Sequence, residues 1–440
     1  MLDEVAWLMN VRGRDVECNP VALSYALVRK EGAAAVYVDP AKVTPAVTEH
    51  LKAAGVEIRP YDAFLGDVRA EAAAGKVLCL DPAKLSFAVF QAAKEAAAAD
   101  TDAAHGNGGA PPAKRARTAA KKTFVELASP VTAAKAIKNE KELEGMREAH
   151  LRDAVALAQF LFGIEEQISA GRTLTEVEVD EQLTARRAAQ VGFLEPSFPS
   201  IAGAGPNGAV IHYRAQPGTC RTVDATTMLL LDSGGQYECG TTDITRTMHF
   251  GTPTAHQKRC NTRVLQGHIL LDTAIFPEGT PGLSLDTLAR LPLWQDGLNY
   301  RHGTGHGVGA ALNVHEGPLS ISSRYHITYP LAAHMVCSNE PGYYEDGSFG
   351  VRIENLMSIK EVDTPFRFGG VPYFGFQVLT LVPIQTKLMD LDLMTVAEIS
   401  WVDTYHTKVW DAVSPRLVDQ PRVLEWLKKN TRPLKVQLGV

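Results

Sequence analysis

Three shortages narrow this sequence before any motif is read. Cysteine is the first: the six residues, at 18, 79, 220, 239, 260 and 337, show no C-x-x-C pair and no zinc-finger spacing, so they read as reduced thiols. Net charge is the second. A formal charge of −6 over 440 residues leaves no broad basic field, which argues against nucleic acid as a partner. Third, no apolar run approaches the roughly eighteen residues of a membrane span, and Met1-Leu2-Asp3-Glu4-Val5 carries acids where a signal peptide needs basic residues. A cytoplasmic protein without membrane or nucleic-acid partners is expected. At 45% hydrophobic and 21% charged residues, the composition is that of a globular chain with room for two domains.

Residues 1 to about 90 alternate apolar runs with helical patterns: a strand over Ala34–Val38, a helix over Val43–Ala54 and a strand over Val77–Leu80. This small α/β unit holds no paired acids, histidine cluster or phosphate loop. From about 92 to 122 the composition shifts to alanine, glycine, proline and charge, and disorder is expected because little apolar surface offsets the ordering entropy. Within it, Lys114-Arg115-Ala116-Arg117 and Lys121-Lys122 have the composition of a nuclear-import patch, but read more simply as a solvated basic stretch. A short strand at Val125–Leu127 closes this domain, with the boundary near 131. Residues 132–390 are expected to form the main domain, with helices from Thr132 and over Thr175–Val191, Thr254–Ala274 and Ser284–Leu291. Its strands fall over Met228–Asp232 and Asp243–Phe250, an antiparallel pair, and over His334–Glu340 and Gly350–Ile359. Residues 391–440 form a C-terminal extension with helices over Val396–Trp410 and Arg422–Asn430.

The most information-dense run is Arg301-His302-Gly303-Thr304-Gly305-His306-Gly307-Val308-Gly309, followed by Val314-His315-Glu316. Glycine permits positive φ and close approach of the backbone, so a loop shaped around a ligand is expected. A dinucleotide fingerprint would need a long amphipathic helix immediately afterwards, and Ala310 to Pro318 breaks too soon.

Four carboxylates accompany these histidines. Asp232 ends the apolar run Leu229-Leu230-Leu231, where an uncompensated charge is costly. Asp243 falls on the adjoining strand, Glu340 and Glu354 on a second pair, and Arg352 and Glu354 are expected on one face of a single strand. Taken singly, each acid is explained by an arginine, as in a pair between Asp243 and Arg246. Taken together with one neutral imidazole they sum to −4, which two divalent cations neutralise. Oxygen-rich ligation with one nitrogen suits manganese first, with cobalt or zinc as alternatives.

These motifs, with Ser200-Ile201-Ala202-Gly203, Gly205-Pro206-Asn207-Gly208-Ala209, Ile211-His212-Tyr213, Asp232-Ser233-Gly234, Thr242-Asp243-Ile244-Thr245-Arg246-Thr247, Glu340-Pro341-Gly342-Tyr343-Tyr344 and Arg352-Ile353-Glu354-Asn355, resemble the pita-bread metallopeptidases. Within them the chain looks like the aminopeptidase P (Xaa-Pro aminopeptidase) family in its long eukaryotic cytosolic form, from near residue 2 to about 432. Leu381-Val382-Pro383-Ile384-Gln385-Thr386-Lys387 resembles the start of that form's C-terminal extension. The resemblance implies an α+β fold: a pita-bread catalytic domain after a small, apparently truncated α/β domain like the creatinase N-terminal one. It implies two divalent metals, with Asp232 on one, Asp243 on both, His306 and Glu340 completing the second and Glu354 bridging. It also implies that His212 and His302 orient substrate, His315 stabilises the tetrahedral intermediate, Glu340 shuttles a proton and Arg352 holds the cluster. The activity implied is attack by a metal-bridging hydroxide on the N-terminal Xaa-Pro bond of peptides, in a homodimer. An Xaa-Pro bond has no N–H and a constrained ring, which frustrates ordinary peptidase clefts.

Against the family's long form, the chain begins inside a middle domain, so a leading domain and the first helix and strand are expected to be missing. The run at 92–122 is an insertion, and Ser338-Asn339 replaces a more usual Thr-Asp pair, with a small effect expected. The rival readings are a prolidase confined to Xaa-Pro dipeptides, a non-catalytic binding module of this fold, and a metal-free creatinase. The C-terminal extension disfavours the first, and the five filled ligand positions disfavour the other two.

Overall fold

A computed structural model of the chain describes residues 1–103 and 124–439 and divides into two compact units, one of Met1–Val16 with Pro20–Lys135 and one of Glu17–Asn19 with Ala136–Val440. In the smaller unit the strand Ala34–Val38 lies between Ser24–Val28, antiparallel to it, and Val56–Pro60, parallel to it. Ala35, Tyr37, Phe64, Val68, Val89 and Ala92 form its core. The helix Pro45–Ala53 starts where the Thr44 hydroxyl accepts from the Val47 N–H, and Pro45 fits the first turn because that position needs no donor. The expected disorder from residue 92 is corrected in part: a helix spans Phe87–Ala103, since an alanine-rich run keeps high helix propensity where it follows apolar Val89 and Phe90. The rest of that stretch, including the basic patch at Lys114–Lys122, lies outside the described residues.

In the larger unit the helix Glu140–Ser169 begins in a capping box between Asn139 and Glu142, and Thr175 and Glu178 repeat that device for Glu176–Ala188. The helical region expected from Thr132 is thus broken, with a separate short helix at Pro130–Ala136. One three-stranded antiparallel sheet has Met228–Ser233 between Ile201–Ala204 and Ile244–His249. A six-stranded sheet runs, in order, Phe276–Pro277, Tyr373–Val378, Asn355–Val362, Val336–Asn339, Gly305–Gly307 and Glu316–Ile321. Two expectations change here. The glycine-rich run is a loop only in part: Gly305–Gly307 is a strand within it, and the glycines of the run do not take positive φ. They are needed for close approach, because a Cβ on Gly305 would collide with the carbonyl oxygen of Ser338 and one on Gly307 with that of Glu316. The run Gly350–Ile359 is two strands, Phe349–Arg352 pairing with Gly342–Glu345 and Asn355–Val362 joining the large sheet. Glu354 sits in the break, where its N–H donates to the Thr245 carbonyl at 3.1 Å.

The helix Gly282–Gln295 runs through Pro292 in its last turn, longer than the expected Ser284–Leu291. At the C-terminus, Val396–Val413, Pro421–Asn430 and Leu434–Leu438 are helical. Arg246 anchors them: its buried guanidinium donates to Tyr405 Oη at 2.8 Å, to the carbonyls of Val382 and Glu354 at 2.8 and 2.7 Å, and to Asn355 Oδ1 at 2.8 Å. Arg246 is therefore turned away from Asp243, which disposes of the simple ion-pair account of that acid. Among the described residues no helix is long and apolar enough to cross a membrane.

Candidate active site

Strands of the Met228–Ser233 sheet and of the six-stranded sheet, with the turns beside them, deliver side chains to a common cleft, a cavity of about 680 Å³ lined by Asp232, Asp243, His306, Glu340 and Glu354 as well as His212, His302 and His315. Asp232 comes from the middle strand of its sheet, opposite Thr245 in register, and Asp243 immediately precedes the neighbouring strand. His306 is central in Gly305–Gly307, and Glu340 follows the adjoining Val336–Asn339. Residues far apart in sequence thus meet because adjacent strands end on the same side.

Ligand-type atoms of Asp243, His306 and Glu354 lie within 4.8 Å of one another. His306 Nε2 stands 3.5 Å from Asp243 Oδ2 and 3.4 Å from Glu340 Oε1, while its Nδ1 is 2.9 Å from the Gly307 carbonyl. A carbonyl can only accept, so Nδ1 carries the proton and Nε2 turns a lone pair toward the acids. Two buried carboxylate oxygens, Asp232 Oδ1 and Glu354 Oε1, have no hydrogen-bond partner among the described residues. Burial first, then Asp232 and Glu340, pushes Asp243 well above the usual carboxylate range; burial followed by Asp243 and Glu340 does the same to Glu354, and burial raises Glu340. The protein supplies too little positive charge for these acids, and orphaned lone pairs point into the same space. That is the chemistry of a cation site rather than of an ion-pair network.

Arg352 is the cationic side chain that touches the cluster. Its Nη2 donates to Asp232 Oδ2 at 2.7 Å, its Nη1 to Tyr344 Oη at 2.6 Å and its Nε to Thr245 Oγ1 at 3.1 Å. Tyr344 in turn donates to His302 Nε2 at 2.8 Å, because Nδ1 of that ring donates to the Gly303 carbonyl. Burial, then the Arg352 charge, lowers His302 to about 3 and holds it neutral. His315 packs edge-on against His306 with ring centroids 4.3 Å apart, and burial, His306 and His212 lower it to about 4. His212 lines the same cleft from an exposed position. All the sequence-predicted site residues are therefore brought together.

Sequence reasoning missed three supports. Thr245 Oγ1 donates to Glu354 Oε2 at 2.7 Å, so one hydroxyl joins Arg352 to Glu354 even though the strand between them is broken. Ser338 Oγ accepts from the His306 N–H at 3.0 Å and donates to Glu340 Oε1 at 3.1 Å, contacts that need only a hydroxyl, which the more usual threonine also carries. Lys138 forms a buried ion pair with Glu316, next to His315. The alternation of Thr245 and Thr247 against Arg246 was the available signal for the first, since it turns the hydroxyls to the face opposite the arginine. No comparable signal marked the other two.

The comparisons with known proteins agree on the class. The sequence model of metallopeptidase family M24 matches residues 144–361, that of the creatinase/prolidase N-terminal domain matches 1–142, and that of the C-terminal region of peptidase M24 matches 372–434. Aminopeptidase P1 of Lotus japonicus is 44% identical over 99% of this chain and 71% of its own length. This chain belongs to the M24 metallopeptidases, with the α+β pita-bread fold and a preceding creatinase-type domain. Aminopeptidase P2 of Arabidopsis thaliana is 49% identical over 99% of the chain, which spans only 61% of that relative's length. Among solved structures, X-prolyl aminopeptidase from Caenorhabditis elegans, described as a cytosolic enzyme with a di-nuclear active site, superposes with a TM-score of 0.86 at 35% identity, covering 98% of this chain and 67% of that one.

Proposed function

We propose that this chain is a metal-dependent Xaa-Pro aminopeptidase, removing the first residue from peptides whose second residue is proline. The observation that carries the proposal is the pair of orphaned buried oxygens, Asp232 Oδ1 and Glu354 Oε1, beside a His306 whose tautomer is fixed to offer Nε2. Asp232 would hold one divalent cation and Asp243 both, with His306 and Glu340 on the second and Glu354 between them. Bound there, two cations supply a positive centre that polarises a carbonyl and lowers the pKa of a shared water. Manganese is the first candidate, because the donor set is four carboxylates and one imidazole.

The remaining steps belong to the protein. Glu340, held by Ser338, moves a proton to the departing proline nitrogen. His315, neutral at physiological pH, donates an N–H to the substrate carbonyl oxygen as it becomes tetrahedral. His302, fixed by Tyr344, and His212 orient the peptide. Phe198, Ile201 and Ile211 line the cleft and provide apolar surface for the proline ring. Arg352 keeps Asp232 aligned and links it to His302 through Tyr344. A homodimer and a cytoplasmic setting belong to the same reading, the latter supported by the description of the worm relative.

The test is metal content by elemental analysis together with release of arginine from an Arg-Pro-Pro peptide. The expected result is two metals per active chain, loss of release on chelation and recovery with manganese. Full release without metal overturns the proposal, and hydrolysis confined to Xaa-Pro dipeptides replaces it with a prolidase. Light scattering tests the dimer.

A further inference from the structure

Arg301, from the run that organises the sequence, takes no part in the chemistry just described. It lines the catalytic cleft and also a second cavity of about 510 Å³, and Arg324 likewise lines both. His302, Gly303 and Ser322 complete the shared wall, so the second cavity continues from the first. Neither arginine has an ion pair or side-chain hydrogen bond among the described residues, although both are exposed. The acid in this groove, Asp286, is committed: Arg290 donates to it at 2.7 Å and Thr304 at 2.6 Å. Arg290 also donates at 2.8 Å to the carbonyls of Tyr300 and of His302, so the backbone on either side of Arg301 is clamped. Two uncommitted guanidinium groups therefore stand along an exit from the cleft, that of Arg301 on a clamped backbone.

An enzyme that removes one N-terminal residue has a single residue before the scissile bond and the rest of the peptide after it. A groove leading out of the cleft thus serves the downstream side. The other adjoining cavity, which shares Pro199 and Arg214 with the cleft, is lined by Glu17, Asp180 and Glu195 and repels a negative tail. Resting on the aminopeptidase reading, we infer that Arg301 and Arg324 form a downstream subsite that selects peptides carrying a carboxylate a few residues beyond the proline. Guanidinium forks match carboxylates in geometry as well as charge. The carboxylate has two sources, an acidic side chain and the peptide's own C-terminus.

The test uses the manganese-loaded full chain and paired peptides. Ala-Pro-Ala-Glu-Ala-amide against its Gln counterpart probes the side chain, and Ala-Pro-Ala-Ala against its amide probes the C-terminus. One of the two acids is expected to exceed its neutral partner in kcat/KM by roughly two- to fivefold, the range for exposed ion pairs, and the pair that responds identifies the source. The ratio should fall to near one in Arg301→Ala/Arg324→Ala and invert in Arg301→Glu/Arg324→Glu with a lysine peptide. Arg367→Ala, a remote exposed arginine, should keep the ratio. Equal rates for both pairs in the wild type, or a preference surviving in the double alanine variant, overturn the subsite while leaving the aminopeptidase reading intact. Should no peptide be cleaved, that reading fails by itself, and fluorescence polarisation with the same peptides, labelled, decides the subsite: a carboxylate preference in binding that Arg301→Ala/Arg324→Ala removes supports it, and none overturns it.

Discussion

Thr245→Val removes one hydroxyl from the floor of the site and keeps the branched shape. That hydroxyl donates to Glu354 Oε2 at 2.7 Å and accepts from Arg352 Nε at 3.1 Å. Glu354 Oε1 already lacks a protein partner, so the variant leaves this carboxylate with no side-chain donor to hold its plane. A hydrogen bond to a charged group contributes about 1.5–3 kcal/mol, which corresponds to roughly 10–150-fold in an equilibrium constant. Partners of metal ligands typically cost roughly 10–100-fold in affinity or activity when removed. Calorimetric titration of the metal-free protein with manganese should therefore show affinity weakened by roughly 10–100-fold, with Thr245→Ser restoring most of it. Thr247→Val is the control: its hydroxyl faces the same side but exchanges hydrogen bonds only with the Arg352 backbone, at 2.9 and 3.0 Å. That variant should lower thermal stability and leave manganese affinity unchanged. If Thr245→Val binds manganese as the wild type does, or both variants lose affinity equally, Thr245 is not a support of Glu354 and the reasoning fails.

Arg352→Met strands Asp232, and breaking such a buried pair costs about 3–5 kcal/mol; scanning calorimetry should show a larger drop in Tm without manganese than with it, and equal drops would refute the charge balance. Because Asp243, Glu340 and Glu354 are raised, protons compete with cations for them, so affinity falls as pH falls. Calorimetric titration with manganese should show weaker binding at pH 5.5 than at pH 7.5, and equal affinity would contradict the shifts. Burial, with Arg246 second, lowers His406 to about 4, below its unfolded value near 6.5, and Ile384 N–H donates to its Nε2 at 3.2 Å. The unfolded chain then binds the extra proton between those values, so this contribution is present above about pH 6.5 and is lost progressively as pH falls toward about 4, up to roughly 3 kcal/mol. The Tm difference between pH 7.5 and pH 5 should shrink in His406→Gln; an unchanged difference would show that the buried imidazole does not drive it.

How far the site could be read from the sequence follows from what period and composition encode. Side-chain type survives in sequence, so the four acids and the histidines of the glycine-rich run could be grouped by the charge they would otherwise leave unbalanced. Backbone purpose survives less well. Gly305 and Gly307 suggested a loop shaped around a ligand because glycine serves both positive φ and close approach, and only the neighbouring strands decide between them. A two-residue period cannot reveal where a strand leaves one sheet for another. Arg352 and Glu354 were expected to share a face of a single strand, whereas the chain breaks between them and Thr245, from a third strand, rejoins them. For the same reason Arg246 could be taken for a partner of Asp243: they are three positions apart in sequence, but the pleat turns its guanidinium toward Val382 and Tyr405. Its removal from the site is what leaves the carboxylates short of positive charge, so the same turn of the strand that secures the C-terminal helices also creates the demand for cations.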